Sequence, residues 1–192
     1  YTSASRVLDS FFPNAHYEQR TERANHACTL GTKLHADIEA YYKGERPVSD
    51  DFAWSQFTEF LCDLPDLKNI VCERIIADPV SMIAGTVDAI FETPEGKTVL
   101  VDWKRAQRLT MTSPNMQFAE PPLHKYYNTN YWRYTFQLNV YAEILARQGE
   151  KIDELWIVQF HPNQPTYQLH TMPRLINETQ QLMSMYGSSN AL

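Results

Sequence analysis

Apolar positions recur along this chain with two different periods, and the change of period marks its organisation. In the first third they fall at helical spacing. Residues 3–12 (SASRVLDSFF) read as a short helix, with Ser3 or Ser5 placed to cap its first turn. Leu30, Leu34, Ile38 and Tyr41 predict a second helix from about Thr21 to Tyr42, which Gly44 ends with Pro47 just beyond. Asp50 is placed to cap a third helix, along which Phe52, Phe57, Phe60 and Leu61 form an apolar stripe.

Past Pro65 the pattern changes. Residues 69–77 and 82–92 are rich in β-formers, and Pro94-Glu95-Gly96 turns the chain into a third strand at 98–103 (TVLVDW). That strand is nearly continuous in apolar character, the pattern of a strand covered on both faces, so it belongs in the middle of the sheet. Residues 106–130, with Pro114, Pro121 and Pro122, show no period. A loop this long inside a compact domain is usually functional or a flexible cover. Helix resumes over 131–147, strands over 153–160 and 166–171, and a final helix from Pro173 to Tyr186. The order predicts an α/β (α+β) fold, a central mixed sheet flanked by helices, in a single domain. Its parts are a helical stretch at 1–64, a core at 65–172 and a C-terminal helix at 173–192.

Composition narrows the function classes. A chain of 192 residues with 43% hydrophobic positions can bury a core, which excludes disorder. A net charge of −6 excludes a binder that coats nucleic acid through overall positive charge. No run of 18 apolar residues exists, and nothing at the N-terminus reads as a signal peptide, so the expected location is intracellular, away from membranes. Cys28, Cys62 and Cys72 lack C-x-x-C spacing, which argues against a zinc ribbon; buried or half-buried thiols in a reducing compartment are expected. A start at Tyr1 rather than Met is compatible with an excised piece of a longer protein, including one with a replication or recombination domain attached.

The chemistry concentrates at 85–105. Asp88 ends the segment GTVD on one strand, while Asp102 and Lys104 stand two residues apart on the next and share a face. Charges on so apolar a strand are costly unless paired. Two carboxylates with a backbone carbonyl make a hard oxygen site for Mg²⁺ or Mn²⁺, which would serve phosphodiester hydrolysis, with the lysine neutralising developing charge. The alternative for the D-x-K triplet alone is a structural ion pair. Its company weighs against that: Gly31, His35 and Glu39 recur every four residues on the second helix, and Gln137 and Tyr141 are four apart on the helix at 131–147.

Taken in order, His35 in GTKLHADIE, Asp88 in GTVD, Asp102 and Lys104 in VDWK, and Gln137 and Tyr141 in QLNVY resemble the RecB-like branch of the PD-(D/E)XK nuclease superfamily. The resemblance spans about residues 26–160 and implies a restriction-endonuclease-like core acting as a Mg²⁺- or Mn²⁺-dependent nuclease on DNA. It implies that His35, Asp88, Asp102 and the Trp103 carbonyl hold the metal and that Lys104 is the catalytic lysine. Gln137 and Tyr141 would position substrate or the strands, and Glu73, one strand earlier, would be a further ligand, a water-mediated contact or structural. Asp102 stands where glutamate is commoner, which bears on how many metals bind. No cysteine lies beyond Cys72, so no iron–sulfur cluster is expected.

Local charge reconciles an acidic chain with DNA. Residues 102–133 carry Lys104, Arg105, Arg108, Lys125 and Arg133 against two acids, net +3, whereas residues 1–101 sum to −7. Phe118, Tyr126, Tyr127, Tyr131 and Trp132 lie in the same stretch and suit stacking on unpaired bases, or else pin the loop to the body. The expected partner is DNA, single-stranded or with a free end. The rivals are a cap-snatching type of RNA endonuclease and a nuclease-derived binding or scaffolding module without turnover.

Overall fold

The computed structural model describes residues 1–13, 22–45 and 51–189, with side chains described from residue 26 in the second segment and up to residue 186 in the third. Among these residues the chain forms six strands and five helices. In chain order they are β1 (Thr2–Ser3), α1 (Ala4–Phe11), α2 (Glu22–Tyr42), α3 (Phe52–Asp63), β2 (Lys68–Asp78), β3 (Ile83–Glu92), β4 (Thr98–Arg105), α4 (Asn130–Arg147), β5 (Glu154–Phe160), β6 (Gln168–Met172) and α5 (Ile176–Ser189). Every helix and strand expected from periodicity is present. β1 is additional, and two residues are too short to show a period.

Helix ends follow local chemistry. Ser3 caps α1, its Oγ accepting the Arg6 amide at 3.3 Å. α2 closes through Gly44, whose φ of +82° lets the Glu45 amide reach back to the Ala40 carbonyl at 2.9 Å. Asp50 and Pro47 lie outside the described residues. The N-cap position of α3 is held by Asp51, without a side-chain hydrogen bond.

The sheet is mixed, in the order β1–β3–β4–β5–β6, with β2 antiparallel along the other edge of β3. β4 lies between β3 (antiparallel) and β5 (parallel), central as its apolar run requires. Two hydrophobic clusters sandwich the sheet. Leu100, Ile90 and Ile157 meet α1, α4 and α5; Val99, Val101, Trp103 and Phe160 meet α2 and α3. Leu34 and Ile38 of α2, and Ala53, Phe57 and Phe60 of α3, supply the second layer. Tyr41 and Phe52, expected in those stripes, are exposed instead: Tyr41 sits at the rim against Tyr42, Trp54 and Phe57, and Phe52 falls outside the buried face of α3. Cys28 and Cys62 are likewise exposed rather than buried, lying off the apolar faces of α2 and α3, and Cys72 is half-buried. No helix among the described residues is long and apolar enough to cross a membrane.

The feature that positions the site is a fork in the sheet. On one edge β3 pairs with β1 at Ile83 and Ala84, and with β4 from Ala89 to Glu92, leaving residues 85–88 between the two partners. Side-chain alternation also inverts there, since Ile83 and Val87 pack with the α4 layer while Ala89 and Phe91 pack with the α2 layer. Opposite Asp88, on β2, Glu73 takes a φ of +50°, a left-handed conformation that costs a non-glycine residue about 1–3 kcal/mol and clusters at functional sites.

Candidate active site

Asp88 sits where the β3–β4 ladder ends. Its Oδ2 accepts the Trp103 amide at 2.9 Å, so the carboxylate occupies the place of the missing strand partner. Trp103 is fully buried on the α2 side, while its neighbours Asp102 and Lys104 face the other way. Lys104 Nζ stands 2.9 Å from Asp102 Oδ1 and 2.8 Å from Oδ2, but only Oδ1 has hydrogen-bond geometry. Asp102 Oδ2 is buried and is paired with the Lys104 ammonium by charge rather than by an aligned hydrogen bond.

From α2, His35 reaches into the fork. Its Nε2 lies 2.9 Å from the Trp103 carbonyl, which can only accept, so Nε2 carries a proton. Its Nδ1 faces Asp88 Oδ2 at 3.6 Å and Glu73 Oε1 at 3.7 Å. Burial disfavours the imidazolium, but the nearby carboxylates of Glu73 and Asp88 outweigh it and push the His35 pKa up to about 9. Burial, and then the charge of Asp102, holds Asp88 well above the ordinary carboxylate range, against the opposing pull of His35 and Lys104. For Lys104, burial opposes the charge, yet Asp102 and Asp88 raise its pKa further, so it stays an ammonium.

His35, Glu73 and Asp88 each offer one ligand atom, all within 4.8 Å of one another. One imidazole nitrogen with two carboxylate oxygens is a donor set that fits Mg²⁺ or Mn²⁺. Glu73 thus belongs to the compact group, while Asp102 is engaged with Lys104 and the Trp103 carbonyl with His35.

Without a cation, the cluster makes stability fall as pH rises. A folded-state pKa raised above its unfolded value contributes stability that is complete below the unfolded pKa and is lost through the folded one. For His35 that window runs from 6.5 to about 9, and raised Asp88 acts with the same sign at lower pH. The melting temperature in chelator is expected to drop across pH 6.5–9, and Mn²⁺ to flatten that drop. Differential scanning fluorimetry over a pH series, with and without Mn²⁺, reads both.

Gln137 and Tyr141 are buried, and α4 lays them along the fork. Gln137 Nε2 donates to Tyr141 Oη at 3.0 Å and to Ser5 Oγ at 3.3 Å. The Tyr141 ring covers Gly85, where an added Cβ would stand 2.4 Å from Cε1. Gly85 is needed for this close approach rather than for a turn. Gly85→Ala is expected to cost about 1–3 kcal/mol in urea unfolding as ring and strand move apart.

The basic residues are dispersed by their partners. Arg105 points to the α3 side, 3.7 Å from Asp51, and Arg133 binds Asp9 at 2.6 Å. Lys125 binds Glu178 of α5 at 2.6 Å. Arg108 is exposed, has no ion-pair partner among the described residues, and lines a surface cavity of about 310 Å³ with Thr110, Ser113 and Asn128. The loop aromatics stack chiefly on one another: Phe118 on Tyr127 at 4.7 Å and Tyr126 on Trp132 at 4.6 Å, with the Trp132 indole donating to the Met111 carbonyl. These contacts hold the rings within the loop, and Phe118 stays exposed. Tyr134 was not singled out by the sequence, yet its ring lies 4.8 Å from Lys104 Nζ. Its spacing from Gln137 and Tyr141, three and seven residues, was the available signal.

No sequence family and no curated protein matches the chain. Among solved structures it is similar to a protein from Eubacterium rectale provisionally named an exonuclease, with 14% identity and a TM-score of 0.54, covering all of this chain and 79% of that one. It is also similar to an alkaline exonuclease from Laribacter hongkongensis, with 16% identity and a TM-score of 0.49 over 98% of this chain and 86% of that one. The mixed six-stranded sheet between two helical layers is thus a fold shared with the Eubacterium rectale structure, and a mixed sheet flanked by helices is what the sequence predicts.

Proposed function

We propose that this protein is a divalent-metal-dependent nuclease that hydrolyses phosphodiester bonds in DNA, working on single strands or free ends. The observation that carries the reading is the convergence of His35, Glu73, Asp88, Asp102 and Lys104 at a single fork, on strands and a helix far apart in sequence. A purely structural ion pair of Asp102 and Lys104 needs no Asp88, Glu73 or His35 gathered at the same fork and no left-handed Glu73. The fold likeness to a protein provisionally named an exonuclease supports the same class.

His35, Glu73 and Asp88 would hold the cation, with Asp102 as the further ligand that the nuclease resemblance implies. When bound, it supplies Lewis-acid charge to the phosphodiester and favours water as a nucleophile at neutral pH. The chain's own groups then have separate tasks. The Trp103 amide fixes Asp88, and the Trp103 carbonyl fixes the His35 ring so that Nδ1 faces the carboxylates. Asp102 orients Lys104, whose ammonium neutralises charge growing on the scissile phosphate and orients the attacking water. Gln137 and Tyr141 brace β3 behind the site.

The test is incubation with linear duplex, circular, single-stranded and RNA substrates in Mg²⁺, Mn²⁺ or chelator. Metal-dependent cleavage of DNA that requires an end or a single strand supports the proposal. Cleavage in chelator, or preference for RNA, overturns it, and binding without any cleavage favours the derived binding module.

A further inference from the structure

We propose that Tyr134 is a positioning residue for Lys104, its ring face holding the ammonium in place when Asp102 engages a cation. The inference rests on the nuclease reading and extends it to a residue outside the motifs that suggested it. Among the described residues Lys104 Nζ meets the Asp102 carboxylate, at 2.9 and 2.8 Å, and the Tyr134 ring, 4.8 Å from its centroid. The lysine side chain is 17% exposed, so the contact with the ring is largely desolvated, the condition under which a cation–π interaction is strongest.

The two neighbours bear differently on catalysis. A carboxylate that shares its charge with a divalent cation holds an ammonium less tightly. A ring face is unaffected by the cation, and it attracts the ammonium without consuming any N–H in a directed hydrogen bond. Lys104 can then stay in the fork with its donors free for a phosphate oxygen. The ring is itself held: the Arg133 guanidinium lies 5.9 Å from its centroid and is tied to Asp9 of α1 at 2.6 Å. Tyr134, Gln137 and Tyr141 then form one stripe of α4, with Tyr134 against β4 at Lys104 and Tyr141 against β3 at Gly85.

Three variants test the role: Tyr134→Leu, which removes the ring, and Tyr134→Phe and Tyr134→Trp, which keep one. Tyr134→Leu is expected to lower kcat roughly tenfold with KM nearly unchanged, while Tyr134→Phe and Tyr134→Trp stay within about threefold of wild type. A second readout does not depend on turnover: the ring-current-shifted Lys104 side-chain methylene resonances of the metal-free protein should return to ordinary positions in Tyr134→Leu and remain shifted in Tyr134→Phe. Wild-type kcat in Tyr134→Leu, an equal loss in Tyr134→Phe, or a change confined to KM overturns the proposal; the last would place the ring on substrate. If the wild-type protein cleaves nothing, the nuclease reading fails, and unshifted Lys104 resonances would separately refute the contact.

Discussion

Lys104→Ala is expected to slow phosphodiester cleavage by about 10²–10³-fold, the usual cost of removing one preorganised group that stabilises transition-state charge. Among the described residues Lys104 is the one cation paired with Asp102, and the charges of Asp102 and Asp88 keep it protonated throughout the working pH range. Removing it leaves the Asp102 carboxylate, 3% exposed, without a cationic neighbour, so some loss of stability is expected in chelator and should be recovered in Mn²⁺. Single-turnover cleavage of an end-labelled duplex measures the chemical step, and fluorescence anisotropy measures binding of the same duplex. Lost turnover with retained binding is the expected pair. Lys104→Arg should restore only part of the rate, because a planar fork does not replace a compact ammonium between a carboxylate and a ring. Cleavage within about threefold of wild type in Lys104→Ala would remove the lysine from the mechanism.

Trp103→Ala is expected to be the most destabilising single change near the site, costing about 3–5 kcal/mol. Its side chain has no exposed surface and packs among Phe57, Phe60, Phe91 and Phe160, with ring centroids 5.4–6.1 Å away. Its indole N–H has no hydrogen-bond partner among the described residues, so the side chain is held by packing. The same residue's amide and carbonyl fix Asp88 and His35. Urea unfolding should show the loss in the midpoint, and metal affinity should fall with it although no metal-ligating side chain is altered. Trp103→Phe keeps an aromatic ring and drops the unpaired donor, and it should cost less than half as much. Equal losses in the two variants would mean that ring packing is not what holds this strand.

Elements were legible where one period ran unbroken, and contacts were legible where two residues shared an element. Leu34 and Ile38 mark the buried face of α2, and the apolar run before Asp102 marks a central strand, because burial on one or both faces is written directly in the spacing. The spacing of Asp102 and Lys104 likewise places them on one face. Glu73 was harder to assign, since its role depends on a left-handed residue opposite an inverted alternation at Asp88, and neither has a sequence signature. The basic stretch shows a different limit. Net charge does not say who the partners are, and Asp9, Asp51 and Glu178 come from distant helices and segments to engage Arg133, Arg105 and Lys125. Spacing from Gln137 and Tyr141 puts Tyr134 on their face of α4, but a cation–π contact between α4 and β4 leaves no pattern that names Lys104 as its partner.

The turn between β3 and β4 lies at the opposite end of the hairpin from the fork. Its tip, residues 94–97, is exposed, and it closes through the Thr93 amide on the Lys97 carbonyl at 2.9 Å, with Gly96 at a φ of +76°. Nothing about it is chemical, yet it counts the residues that bring Val101 opposite Ala89 and so Asp102 toward Asp88. One residue more or fewer would shift β4 by one position against β3, carrying the tryptophan toward the fork and a carboxylate toward the aromatic cluster, unless β4 broke its ladder with β5. Apart from Gly96, the composition of this turn is therefore free to drift, but its length is bound as tightly as the carboxylates it serves.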